Sequence, residues 1–90
     1  LVKRLVLKFL DDASYQKLEE QLLNKNVEEA FRAAHTLKGV CLNLGFDNLF
    51  TVCSDLTEKL RAKELDGADE LFAKVKEQYE ITVAAVKNLD

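Results

Sequence analysis

Between Asn26 and Gly45 the chain reads NVEEAFRAAHTLKGVCLNLG. At roughly 100° per residue, Ala30, Ala33, Ala34, Leu37, Cys41 and Leu44 fall in one sector of a helix. Asn26 followed by Glu29 has the form of a capping box, in which side chains satisfy orphan N–H groups reciprocally. Gly45 suits the left-handed cap that glycine adopts at little cost. These signals predict a helix from Val27 to about Leu44. Its apolar stripe is made largely of small residues, so it must bury that face against other helices.

Working outward, the same periodicity divides the rest of the chain. Leu1, Val2, Leu5, Val6, Phe9 and Leu10 predict a short N-terminal helix. Asp11, Asp12 and Ser14 interrupt it, and one of them caps the next helix, whose stripe is Tyr15, Leu18, Leu22 and Leu23. Asn24-Lys25-Asn26 is a turn signal. Asp47 is the expected N-cap of a helix carrying Leu49, Val52, Cys53, Leu56 and Leu60. Asp66 and Asp69, around Gly67, mark the last restart, and the final helix carries Ala68, Leu71, Phe72, Val75, Tyr79, Val83, Val86 and Leu89. Each long helix has one apolar stripe and the connections are short, which makes neighbours antiparallel. The expected fold is all-α: an antiparallel up-down four-helix bundle, with the short N-terminal helix covering one end. Residues 1–90 are read as a single domain.

Composition narrows the function. The 90 residues contain no Pro, no Trp and no Met, and 48% are hydrophobic. Thirteen Lys and Arg against sixteen Asp and Glu give a formal net charge of -3, which disfavours a nucleic-acid partner. No apolar run is long enough to span a membrane, and no signal-peptide pattern is present. The expectation is a soluble, cytoplasmic, monomeric domain. The sequence opens on Leu1, so either leader residues are missing or the segment belongs to a longer protein. Cys41 and Cys53 are too few for a disulfide framework and too far apart for a CxxC motif, and one His leaves no usual zinc set. Both cysteines are read as small buried residues; whether they lie close enough to pair is left open.

The face of the central helix opposite its stripe is chemically unusual. His35 points away from the core, and Glu28, Phe31, Arg32, Lys38, Gly39 and Leu42 lie within about 60° of it. Gly39 stands in mid-helix, where Gly costs about 1 kcal/mol relative to Ala. Lys38 sets a positive charge beside the imidazole. Phe31 and Leu42 are apolar residues on a face that should be wet, as a docking patch requires.

Ala34-His35-Thr36-Leu37-Lys38-Gly39, followed by Leu44-Gly45, resembles the signature of histidine-containing phosphotransfer (HPt) domains, H-x-L-K-G, then five residues, then Gly. The resemblance extends to the whole bundle. It implies that His35 accepts a phosphoryl group from a receiver-domain aspartate and passes it to another. It further implies that Lys38 offsets the phosphoryl charge and that Gly39 leaves room for the phosphate and the receiver's loops. The partners implied are response-regulator receiver domains and a hybrid histidine kinase. Phe31, Arg32, Leu42 and Phe46 are the expected docking residues around this site.

Elementary chemistry agrees with these roles. A free imidazole titrates near about 6.5, so at neutral pH most of it offers a nitrogen lone pair. Phosphoryl transfer needs positioning and charge stabilisation more than covalent help. The chain has no Gly-rich phosphate loop, no G-x-x-x-x-G-K-[ST] and no carboxylate cluster suited to Mg²⁺, so it is not expected to be an ATP-dependent kinase. No cofactor or metal is expected on the chain itself; Mg²⁺ belongs on the receiver partner. Arg32 and Lys38 are expected to make the face around His35 basic, to complement an acidic receiver pocket. Two alternatives remain. One is the phosphotransfer domain of a chemotaxis-type kinase, phosphorylated directly by a kinase domain. The other is a purely structural helical interaction module, which would not need His35, Lys38 and Gly39 on one face.

Overall fold

The computed structural model describes residues 13–87, which form four helices: α1 (Ser14–Leu23), α2 (Val27–Leu44), α3 (Asp47–Arg61) and α4 (Ala68–Lys87). The N-terminal helix expected over Leu1 to Leu10 and the last stripe residue, Leu89, fall outside the described residues.

The long α2 has the bounds its capping signals predict. Asn26 Oδ1 accepts the Glu29 N–H at 3.3 Å, closing the first turn. The reciprocal half of the capping box does not form. The Asn26 N–H already donates to the Gln21 carbonyl at 2.9 Å, and the Glu29 carboxylate turns instead to Arg32. At the other end Gly45 takes a left-handed φ of 76°, and the Phe46 N–H reaches back to the Cys41 carbonyl at 2.9 Å. That bond reverses the chain within two residues.

The other caps depart from the sequence reading. Ala13, not Asp11, Asp12 or Ser14, occupies the N-cap of α1 and makes no side-chain cap bond; Ser14 is already helical and buried. Phe46, not Asp47, precedes α3, and Asp47 sits in its first turn. A carboxylate there still complements the positive end of the helix dipole, as Lys59 and Arg61 complement the other end. Gly67, at φ 80°, leads into α4.

Short links of three, two and six residues join the helices, so α1 packs on α2, α2 on α3 and α3 on α4 as antiparallel neighbours. The core is built from Leu18 of α1, Ala30, Ala33, Ala34, Leu37 and Cys41 of α2, Leu49, Cys53, Leu56 and Leu60 of α3, and Ala68 and Val75 of α4. The alanines of α2 let both flanking helices come close. Leu23, read as part of the α1 stripe, is 79% exposed, because it lies about 140° around the helix from Leu18. Thr57, a polar residue absent from the predicted stripe, is wholly buried; its hydroxyl donates to the Cys53 carbonyl at 2.7 Å, which removes the cost of burying it.

Cys41 and Cys53 are free thiols, fully buried, and they meet across the α2–α3 contact. A hydrogen bond with Cys41, together with burial, drives the Cys53 thiol far above its ordinary range. Tyr15 of α1 stacks on Tyr79 of α4 with centroids 3.9 Å apart and on Phe72 at 5.6 Å, which closes the bundle between its first and last helices.

Candidate functional site

The inward stripe of α2 fixes which residues face out. With Ala30, Ala34, Leu37 and Cys41 all within 1% of complete burial, the helix cannot rotate about its axis without breaking the core. His35 is thereby held on the outer surface, exposed to solvent. Among the described residues it makes no hydrogen bond or ion pair. Its one ring contact is with Phe31, one turn earlier, at 6.1 Å between centroids and 17° between planes.

Phe31 is half-buried in the groove between α2 and α3. That groove is lined by Val27, Glu28, Phe31 and Arg32 on one wall and by Leu60, Arg61 and Lys63 on the other, and encloses about 320 Å³. The Arg61 guanidinium lies over the Phe31 ring at 5.7 Å from its centroid, within cation–π range. Its Nε also stands 3.5 Å from a Glu58 carboxylate oxygen.

Gly39, one turn beyond His35, answers a specific structural question. A Cβ built there meets no atom within 4 Å, so no neighbouring helix requires the missing side chain. Nor is its backbone left-handed: the only glycines with positive φ are Gly45 and Gly67 among the described residues. A residue that lowers helix propensity and relieves no internal crowding keeps the surface clear on its outer side.

The charges differ from the expected pattern. Arg32 is bound to Glu29 at 3.1 Å, so its charge is largely offset on its own helix. Lys38, half-exposed, makes no ion pair among the described residues. The additional cations arrive from α3 and its following turn, as Arg61 and Lys63. No feature of the local sequence marks Arg61 as part of this face, since its place beside Phe31 depends on the pairing of the two helices.

Leu42 is 63% exposed on the same outer face of α2. Phe46 stands apart: it packs partly against the core and lines a different groove, with Gln78, Ile81 and Thr82 of α4. The structure therefore gathers Phe31, Arg32, His35, Lys38, Gly39 and Leu42 on one face and sets Phe46 elsewhere. Among the described residues, no three His, Cys, Asp or Glu side chains converge as a metal site requires, and no helix is long and apolar enough to cross a membrane.

The family model for the Hpt domain matches residues 4–88. No curated protein and no solved structure gives a significant match.

Proposed function

The chain belongs to the Hpt domain family, and on that premise we propose that His35 is the residue that carries the phosphoryl group. Hpt domains are histidine phosphotransfer intermediates of phosphorelays, and they work with receiver domains and histidine kinases. His35 is the sole histidine in the 90 residues. The observation that carries the assignment is its position: exposed, free of hydrogen bonds among the described residues, and one turn from a glycine that no internal contact demands.

In the forward step the lone-pair nitrogen of the neutral imidazole attacks the phosphorus of a receiver's aspartyl phosphate. A P–N bond forms, the P–O bond to the carboxyl group breaks, and the aspartate leaves as its carboxylate with the electron pair. The return step onto a second receiver reverses these bonds. Lys38 lies on the adjacent turn, where its ammonium offsets charge on the transferring oxygens. Gly39 leaves space for the phosphoryl group and for a receiver loop. Arg32, Phe31 and Leu42 surround the nucleophile as contact residues, while Mg²⁺ and the acceptor carboxylate come from the receiver. ATP-dependent phosphorylation is assigned to an upstream kinase rather than to this domain.

The test is direct. Incubating the chain with a receiver domain charged by acetyl phosphate and Mg²⁺ should give an acid-labile phosphoryl label at His35. His35→Gln should abolish the label and leave the helical signal and unfolding midpoint unchanged, because His35 supports no buried contact. Labelling that persists in His35→Gln would overturn the assignment. Labelling by a kinase domain with ATP but by no phospho-receiver would favour the chemotaxis-type alternative.

A further inference from the structure

A nucleophile is ordinarily held in its working orientation by a third group, most often a carboxylate or carbonyl hydrogen-bonded to the ring. Among the described residues His35 has no such partner. Its imidazole makes one ring contact, with Phe31, in a nearly parallel arrangement at 6.1 Å between centroids. Phe31 is not left to turn freely either. Its ring is half-buried against the core, with the Arg61 guanidinium 5.7 Å from its centroid. Arg61 is tethered in turn by Glu58, on its own helix, at 3.5 Å. The order of groups is therefore Glu58, Arg61, Phe31, His35, and it runs from α3 across the groove to the nucleophile.

We propose that Phe31 is the positioning residue for the His35 imidazole, and that Arg61 acts through it by pinning the ring from the neighbouring helix. This rests on the reading of His35 as the phosphoryl carrier and adds to it a source of orientation. The imidazole is a two-χ side chain on an exposed helical face, where several rotamers are open to it. Stacking on a half-buried ring flanked by Arg61 favours the rotamer that holds the imidazole plane nearly parallel to Phe31. The imidazole then presents one fixed orientation on the outer face of α2, the face it shares with Lys38 and Gly39. Restricting the imidazole before the receiver arrives raises the rate at which docked complexes react, since less orientation remains to be found in the complex. The contact does not add to docking affinity, because the imidazole and the ring already touch in the free domain.

The single histidine makes the contact observable without assignment ambiguity. In the wild-type chain the His35 ring protons should be displaced by the ring current of Phe31 relative to a free imidazole. Phe31→Leu keeps an apolar side chain in the groove; it should remove that displacement and lower the saturating rate of transfer from an acetyl-phosphate-charged receiver by about three- to tenfold, with KM little changed. Phe31→Tyr should restore both. Arg61→Gln should produce a smaller loss of the same kind, and the double variant Arg61→Gln with Phe31→Leu should be no worse than Phe31→Leu alone. The proposal is overturned if the His35 ring signals do not move in Phe31→Leu. It is equally overturned if that variant raises KM at an unchanged saturating rate, which would make Phe31 a docking contact and nothing more. Should the wild-type chain accept no phosphoryl group from any charged receiver, the functional reading fails, and the His35 ring signals alone decide whether Phe31 orients the imidazole.

Discussion

Tyr15 on α1 lies against Tyr79 on α4 with ring centroids 3.9 Å apart and planes 5° from parallel, whereas Phe31 and His35 share α2 and stand 6.1 Å apart. The first contact joins the two ends of the helical sequence, whose backbones approach each other far less than consecutive helices do. Both tyrosines are half-buried, and Phe72 extends the stack at 5.6 Å. The second contact joins nothing that the core does not already hold, and one of its rings is exposed to solvent. The tight stack contributes to stability by removing aromatic surface from water between helices. The looser one contributes orientation at a surface where stability has been given up, as mid-helix Gly39 shows.

The sharpest way to break this contrast is to truncate one member of the tight stack. Tyr79→Ala should cost about 2 kcal/mol, below the range for fully buried aromatic truncations because the ring is only half-buried. Phosphoryl uptake by the fraction still folded should be unchanged. Urea unfolding measures the first and label per folded molecule the second; a cost below about 0.5 kcal/mol would mean that the seam between α1 and α4 does not hold the bundle closed.

A smaller effect of opposite sign is expected on the outer face of α2. Gly39→Ala should raise stability by up to about 1 kcal/mol, since helix propensity improves and the new methyl meets no atom within 4 Å. Gly39→Glu should slow transfer from a charged receiver by far more than any change in its unfolding midpoint can explain. If Gly39→Ala lowered stability, an internal packing role for Gly39 would be established and the clearance argument lost.

The weakest test concerns pH. Burial, with Glu19 and then Glu80 nearby, raises the Tyr15 phenol to about 12 from the usual 10. The folded state thus favours the neutral phenol. Its contribution is fully present below pH 10 and is lost as pH rises through about 12. Phenolate absorbance should show a Tyr15 titration displaced upward, with stability declining over that interval.

Much of the fold is legible from residue order. The α2 boundaries follow from Asn26 and Gly45, its buried face from the spacing of Ala30, Ala34, Leu37 and Cys41, and the outward position of His35 from the same period. The caps of α1 and α3 were less legible. A cluster such as Asp11, Asp12 and Ser14 offers several competing N-cap side chains, and a boundary can shift by one residue at small cost. The candidate site was legible where it lies on one helix. It was not legible where a second helix contributes, so Arg61 was missed, Arg32 was credited with charge that Glu29 offsets, and Phe46 was grouped with a face it does not share.

Sequence alone determined the helices, their apolar stripes, the left-handed turn at Gly45 and the side of α2 on which His35 stands, because these depend on contacts within about one helical turn. Tertiary structure decided what meets across the helices: Arg61 over Phe31, Tyr15 on Tyr79, the Cys41 and Cys53 thiols against each other, and the empty space around Gly39. Those meetings depend on how far each helix is rotated about its axis and slid along its neighbour. Close packing of the whole core settles both quantities at once, and no short stretch of chain encodes either.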